Sequence, residues 1–251
     1  MNDKIYIHEY VDIIGHNRSH YLHHITANWG PIARETREHL AYGVWSTVGI
    51  TSRWPQVINL WEDQGWDGLA QSLRVEYTSS SATTHQDPEL AAWWAEAASF
   101  RSGGVDRILR PAPWTPTIDE LIASGVRGEC YVHEMVKLRP GCAAEYLQLL
   151  REDGADVHQA LGLDVVGGFE NALVGGTECL VLWSADRFDD WTGFERDQLD
   201  DPGMQAWRKR TSDLVVDWER VLLVEAPLSP LRLGRQPSVD DRASYALPVR
   251  H

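Results

Sequence analysis

The sequence contains two similar segments in the same order, and this internal repeat restricts the possible folds more than any other feature. The stretch Tyr6-x-His8-Glu9 recurs as Tyr131-x-His133-Glu134, and the same spacing separates Tyr21-Leu22 from Tyr146-Leu147. Later matches pair "VINLWE" with "CLVLWS" and "QDPELAAWW" with "DDPGMQAWR". Because these matches preserve their order along the chain, we expect two copies of one structural unit.

Each copy shows the pattern strand, helix, strand, strand, helix, strand. The first helices are predicted at 18–38 and 143–160 from apolar residues at helical spacing. The second helices are predicted to begin at Asp-Pro pairs, with Asp87 and Asp201 as N-caps. The βαββαβ order predicts an α+β protein built from two tandem ferredoxin-like repeats.

The same pattern predicts how the chain is divided. In the segment between the repeats, Thr117-x-x-Glu120 has the form of a helix capping box. The C-terminal segment is rich in Pro, Arg and Asp, which predicts an arm that lies on another surface or is disordered. The predicted parts are a first repeat (1–112), a linker with a short helix (113–127), a second repeat (128–227) and a C-terminal arm (228–251).

Composition excludes two classes of partner. The net charge is −14 and basic residues form no stripe, whereas binding to a phosphate backbone requires clustered Lys and Arg. No segment approaches the roughly 18 apolar residues that cross a membrane, and the N-terminus does not resemble a signal peptide. Three cysteines without metal or disulfide spacing predict reduced thiols and a cytoplasmic location.

The second copy resembles the NIPSNAP branch of the dimeric α/β-barrel superfamily. The resemblance rests on Leu138-Arg139-Pro140-Gly141 followed by Tyr146-Leu147, on Trp183 at a strand end, and on Asp201-Pro202 before Trp207. It implies that two ferredoxin-like sheets pack face to face, so that a tandem chain forms an intramolecular α/β barrel. Members of the superfamily include cofactor-free monooxygenases, isomerases, polyketide cyclases and haem-binding proteins. Family members commonly read Tyr-Glu-x-Arg where this chain reads Tyr131-Val132-His133-Glu134, so no catalytic role is carried over.

The repeated His-Glu pair is not predicted to be a catalytic dyad. Successive side chains of a strand point to opposite faces, so His8 and Glu9 serve different environments, as do His133 and Glu134. The more apolar face carries the two glutamates and is predicted to pack against the helices. The histidines are expected to face the other sheet and to pack or form hydrogen bonds across the barrel.

Glu9 and Glu134 are the first candidates for catalysis. A carboxyl group on an apolar strand face either meets a cation or donor, or has its pKa raised by desolvation. A raised pKa suits a general acid or base, whereas pairing with Arg or with backbone would make both glutamates structural. Both interpretations remain open at this stage.

The first copy is predicted to keep a pocket that the second copy fills. His24 replaces Leu149 and Asn59 replaces Val181, and such polar replacements inside a repeat favour a functional site. Asn28 is a further polar partner, and His85 in an inserted loop is a secondary candidate. His16, His20 and His24 at helical spacing could bind a metal, but no further ligand accompanies them, so no metal site is predicted. The predicted aromatic walls are Trp29, Tyr42, Trp45 and Trp61.

Together these features predict a small-molecule enzyme. The expected chemistry is cofactor-independent proton transfer on an aromatic or polyketide-like metabolite, as in an isomerase, cyclase or lyase, or a related monooxygenase. Two alternatives remain: a non-catalytic binding or interaction protein on the same scaffold, and a haem-binding barrel. A homodimer or higher homo-oligomer is also possible.

Overall fold

The computed structural model describes residues 2–76 and 88–242, which form an α+β fold with eight strands and flanking helices. Every strand pair is antiparallel, and the strands close into one barrel. The strands are β1 (Ile5–Ile13), β2 (Leu40–Thr47), β3 (Gln56–Asp63), β4 (Arg101–Pro111), β5 (Cys130–Leu138), β6 (Asp164–Asn171), β7 (Glu178–Ala185) and β8 (Val215–Glu225).

The strand order around the barrel is β1-β3-β2-β8-β5-β7-β6-β4. The first half of the chain therefore contributes β4-β1-β3-β2, and the second half contributes β8-β5-β7-β6. Short pairings join the halves, Trp45–Thr47 of β2 with Leu223–Glu225 of β8, and Leu109–Pro111 of β4 with the end of β6. The prediction of an α+β barrel is confirmed, while the division into 1–112, 113–127, 128–227 and 228–251 stays a prediction.

Helices cover the outside of each half. Both first helices contain a π-helical turn, at His24–Trp29 and at Leu150–Gly154. The sequence pattern missed one helix in each half, α3 and α8. The helices are α1 (Arg18–His23), α2 (Gly30–Arg37), α3 (Gly65–Glu76), α4 (Pro88–Ala97), α5 (Ile118–Ser124), α6 (Ala143–Leu149), α7 (Ala155–Ala160), α8 (Phe188–Asp197), α9 (Pro202–Thr211) and α10 (Pro230–Leu233).

Capping residues start two of these helices as predicted. The Asp201 carboxylate accepts a hydrogen bond from the Met204 amide at 2.7 Å at the start of α9. Thr117 and Glu120 form a reciprocal capping box at the start of α5. Each interaction satisfies amide groups that the first helical turn leaves without partners. Asp87, the cap predicted for α4, lies outside the described residues.

One end of the barrel interior is closed by the linker helix α5. Ile118 and Leu121 of α5 pack with Leu231 of α10 against the interior cluster. The Glu62 carboxylate fixes the start of α5, because it accepts hydrogen bonds from the Ile118 amide at 2.9 Å and from the Tyr6 hydroxyl at 2.8 Å. The connection between the halves therefore also acts as a plug.

The described part of the C-terminal arm lies against the first half. The Gln236 side chain pairs with both backbone groups of Ala41 on β2, at 3.1 and 2.7 Å. Arg242 donates to the Ala27 carbonyl at 3.2 Å. The sequence predicted either contact with another surface or disorder for this segment. The part described, which ends at Arg242, makes such contacts. Within the described ranges, no helix has the length and apolarity that crossing a membrane requires.

Candidate functional site

The parity of β1 and β5 directs the glutamates towards the helices and the histidines into the barrel, as predicted. His8 and His133 are fully buried, and their Nε2 atoms lie 2.9 Å apart across the interior. Burial lowers the pKa of both imidazoles, that of His133 to about 3. The predicted hydrogen bond between the two histidines is confirmed.

Glu134 lies in a hydrogen-bonded ion pair beneath the helices of the second half. Its carboxylate accepts from Trp183 Nε1 at 2.8 Å and pairs with Arg220 Nη2 at 3.1 Å. The Arg220 guanidinium also donates to the Gln198 side chain at 2.9 Å, and Arg208 donates to the same oxygen at 2.6 Å. Only 4% of Glu134 is exposed, so both partners act in a largely desolvated environment, where electrostatic interactions are strong.

Glu9 occupies the matching position in the first half but has different neighbours. Its carboxylate accepts from Asn59 Nδ2 at 2.8 Å and from Trp61 Nε1 at 2.9 Å. The residue opposite Glu9 on β4 is Asp106, whereas Glu134 faces Arg220 on β8. Partial burial and the neighbouring Glu9 carboxylate raise the pKa of Asp106 to about 6. The first half thus places two carboxyl groups where the second half places an ion pair.

The two halves also differ in the space between sheet and helices. The first-half cavity holds about 80 Å³ and is lined by Glu9, Trp29 and Trp61 among others. The second-half cavity holds about 320 Å³. The first has room for a few water molecules, whereas the second falls within the size range of small-molecule sites. Its lining residues include Glu134, Tyr146, Met204, Trp207, Arg208, Thr211, Trp218 and Arg220.

The prediction that the first half keeps the larger pocket is therefore wrong. Trp29 fills this space in the first half, where its ring contacts Trp93 at a centroid distance of 5.2 Å. The same spacing that relates the repeats places Gly154 at the matching position of the second half. A Cβ atom on Gly154 would lie 2.9 Å from the Trp207 ring, so Trp207 packs directly against the backbone at this position.

Asn59 likewise fills space instead of opening it. Its side-chain amide bridges Glu9 and the Tyr21 hydroxyl, the latter at 3.3 Å. In the second half Val181 stands at the equivalent pairing position and offers Tyr146 no amide. Tyr146 belongs to the lining of the second-half cavity. The polar replacement seen in the sequence marks the closed pocket.

His24 and Asn28 are not brought to Glu9. The His24 ring stacks on Trp93 at 5.1 Å, its Nε2 donates to the Trp93 carbonyl at 3.2 Å, and Asn28 bonds its Nδ1 at 3.0 Å. Glu96 lies 3.7 Å from the same Nδ1 atom. Burial lowers the pKa of His24. His24 therefore connects the first helix to α4, Asn28 supports His24 from the same helix, and neither residue lines a cavity.

Two predicted wall residues face the other side of the sheet. Tyr42 and Trp45 belong to the barrel-interior cluster, whereas Trp29 and Trp61 pack beneath the helices. A register irregularity in β2 between Ala41 and Gly43 accompanies this placement. The expectation that all four aromatic residues line one pocket is wrong. His85 lies outside the described residues.

Few side chains that commonly ligate metals lie around the two cavities. No group of three or more His, Cys, Asp or Glu residues in the described ranges could hold a metal ion. Neither histidine nor cysteine lines the second-half cavity. His39 lines the first-half cavity, but that cavity is too small for a porphyrin, and His39 Nδ1 bonds Asp63 at 3.0 Å. No step below depends on a bound cofactor.

The cavity-lining residues that the sequence analysis did not single out are Tyr146, Arg208, Trp218 and Arg220. One available signal was Gly154, which stands where the first copy has the larger Trp29. The exchange of Asp106 for Arg220 was a second signal. Both signals concern the second copy, whose apolar residues had suggested a purely structural role.

A closed antiparallel barrel with a helix-covered cavity in each half is the dimeric α/β-barrel fold, here formed by one chain. An anthrone oxidase-like protein shares it over 98% of both chains, with 10% identity and a TM-score of 0.61. A protein from Lactobacillus acidophilus NCFM proposed to be a monooxygenase matches 90% of this chain and 95% of its own, with 10% identity and a TM-score of 0.59. At these identities the similarity shows the fold alone.

Solved structures similar to part of this chain also include NIPSNAP family proteins. One from Agrobacterium tumefaciens str. C58 is 26% identical over 43% of this chain and 95% of its own, with a TM-score of 0.37. No family model matches the sequence, and no curated protein matches it.

Proposed function

We propose that the protein is a small-molecule enzyme whose substrate binds in the second-half cavity. One observation carries this proposal: the buried Glu134–Arg220 pair lies in the wall of a cavity of about 320 Å³ that is also lined by aromatic residues. Clefts of this size with a few convergent polar groups are typical of small-molecule sites. We also infer that the two halves are copies of one unit, of which the second kept its pocket.

Glu134 is the proposed general base. Each carboxylate oxygen has two acceptor sites, so the bonds from Trp183 and Arg220 leave Glu134 able to accept a proton. Arg220 and Arg208 would stabilise the oxyanion that forms when a proton is removed next to a carbonyl group or from a phenol. The proposed base and the nearest positive charge, on Glu134 and Arg220, lie 3.1 Å apart.

The proposed substrate is aromatic or polyketide-like. Trp207, Trp218 and Tyr146 offer flat apolar surfaces for a ring system, and the Tyr146 hydroxyl can bond a substrate oxygen. The names of two proteins with this fold, a proposed monooxygenase and an anthrone oxidase-like protein, agree with such a substrate. Anthrone is a suitable probe because its central methylene group is acidic and its anion has an oxyanion form.

No cofactor is required in this proposal. Proton removal followed by reprotonation elsewhere gives an isomerase, cyclase or lyase. If the enzyme is a monooxygenase, the substrate anion reduces O₂. For anthrone the balanced products are anthraquinone and one water molecule. Measuring O₂ uptake with anthrone separates these alternatives. The predicted cytoplasmic location and homo-oligomeric assembly stay predictions, the former supported by three cysteines without disulfides.

The decisive experiment compares Glu134→Gln with Glu9→Gln, which changes the matching residue of the closed pocket. We expect the Glu134 variant to lower turnover of anthrone-like probes by about 10²-fold or more, because it removes the base. The Glu9 variant should retain turnover. Equal activity in the two variants would remove Glu134 from the mechanism. Ligand binding without turnover by the unaltered protein would favour the non-catalytic alternative.

A further inference from the structure

The end of the barrel opposite α5 opens into a third cavity, which we call the barrel-mouth cavity. It holds about 370 Å³, and its lining includes Tyr10, Val105, Arg107, Met135, Trp218 and Glu219. These residues come from β1, β4, β5 and β8 of both halves. The cavity is thus formed by the barrel itself, whereas the proposed active site lies between sheet and helices.

Charged pairs surround the barrel-mouth cavity and balance one another. Arg107 Nε donates to Glu178 at 2.7 Å, and Lys137 Nζ lies 3.6 Å from Asp217. The lining as a whole holds three cations and three carboxylates, the third of each being Arg53 and Glu219. A site with balanced charges offers no net attraction to a simple anion or a simple cation.

Two charged groups in this lining nevertheless keep unused bonding capacity. The Nη1 atom of Arg107 is buried and forms no hydrogen bond within the described ranges. The Glu219 carboxylate forms neither an ion pair nor a hydrogen bond with any described residue. Both lie near Tyr10. The Arg107 guanidinium carbon is 5.7 Å from the Tyr10 ring centre, and the Glu219 carboxylate is close enough to act on the Tyr10 hydroxyl. Burial and the Glu219 carboxylate raise the pKa of Tyr10, so its hydroxyl stays neutral. Buried donors without acceptors are uncommon in folded proteins.

Tyr10 connects the cavity to the buried histidines. Its hydroxyl lies 3.0 Å from His133 Nδ1, and His133 Nε2 lies 2.9 Å from His8 Nε2. Each neutral imidazole carries one N–H, so the chain has two arrangements. In one, Tyr10 donates to His133. In the other, His133 donates to Tyr10, and the Tyr10 O–H is available to a ligand in the cavity.

We propose that the barrel-mouth cavity binds a small zwitterion of the amino-acid type. Its carboxylate would accept from Arg107 Nη1 and the Tyr10 hydroxyl, and its ammonium group would pair with Glu219. The apolar side chains of Val105, Met135 and Trp218 would contact the rest of the ligand. A zwitterion satisfies both unused groups and leaves the charge balance unchanged, which neither an anion nor a cation does. The charged and polar groups of this site are not those of the proposed active site, although Trp218 lies between the two cavities and lines both.

The test is calorimetric titration with three probes that share one body: L-phenylalanine, 3-phenylpropanoate and 2-phenylethylamine. The amino acid should bind at millimolar concentration or below, and each single-charge analogue about 10-fold more weakly or worse, because each loses a charged hydrogen bond. Glu219→Gln and Arg107→Met should weaken amino-acid binding by a similar factor. Arg110→Met is the matched control, since Arg110 lies on the same strand and pairs with Glu170.

Several outcomes would overturn this assignment. Absence of amino-acid binding is one, and equal binding of either single-charge analogue is another. Unchanged affinity in Glu219→Gln is decisive even if Arg107→Met unfolds, because Glu219 is exposed and its replacement leaves the strand pairing intact. Loss of turnover in the Glu134 variant would have no bearing on this result, so the two proposals fail separately.

Discussion

The buried His158 makes the second half sensitive to acid, and the size of the effect follows from its surroundings. The ring stacks on Trp183 at a centroid distance of 4.1 Å, and Nδ1–H donates to the Gly154 carbonyl at 2.7 Å. Burial lowers the pKa of His158 to about 4, from 6.5 in an exposed site. Between these two pKa values the ring therefore stays neutral in the folded protein. In the unfolded chain the same ring takes up a second proton and becomes charged.

The sign of the effect is fixed by this difference. Because the pKa is lowered in the folded state, the contribution of His158 to stability is complete above the unfolded pKa and is lost as the pH falls towards the folded pKa. Between about pH 7.5 and about pH 4.5, linkage gives a loss of about 2.5 kcal/mol in the free energy of unfolding. Such a loss is a large fraction of the stability of an ordinary domain.

The assay compares urea unfolding of the unaltered protein with His158→Phe and His158→Gln across this pH range. Other titrating groups cancel in the difference. The Phe variant should cost about 1–3 kcal/mol at neutral pH, since it leaves the Gly154 carbonyl without its donor. The stability gap of both variants should shift by about 2.5 kcal/mol in their favour at the acidic end. A gap that stays constant with pH in both variants would refute the reasoning.

Two further predictions concern core packing and helix capping. Trp29→Ala should lower the free energy of unfolding by about 3–5 kcal/mol. It should also enlarge the first-half cavity enough to bind small aromatic probes, which titration of the variant and the unaltered protein would show; no new binding would mean that the helices close over the space. Asp201→Ala should cost about 1 kcal/mol, because the Met204 amide loses its acceptor at the start of α9. Thermal unfolding would detect this loss, and an unchanged midpoint would mean that the cap contributes nothing.

The order of strands and helices along the chain and the two faces of β1 and β5 could be predicted from the sequence because they depend on local pattern. Alternation fixed the direction of Glu9 and His8, and the Asp-Pro pair fixed the start of α9. These features need only neighbours along the chain. The prediction failed for α3 and α8, each of which follows directly after a strand.

The location of the pocket could not be predicted in the same way, because a cavity depends on volumes contributed by distant segments. Asn59 suggested a polar pocket in the first half, but its side-chain amide is used in a hydrogen bond to Tyr21, which lies on another element. Trp29 and Gly154 pack against Trp93 and Trp207, which lie on helices much later in the chain. The side chains of β2 changed face because of an irregularity that no periodicity shows.

The plug formed by α5 makes the two ends of the barrel unequal, and this has a consequence for exchange with solvent. Because Ile118 and Leu121 cover one end, the route from the paired histidines to water runs past Tyr10 at the other. Protons reaching His8 must then pass along a single file of three side chains. The interior histidines should therefore equilibrate with solvent at a rate set by rotation of one tyrosine hydroxyl, and any molecule seated at the barrel mouth would slow them together.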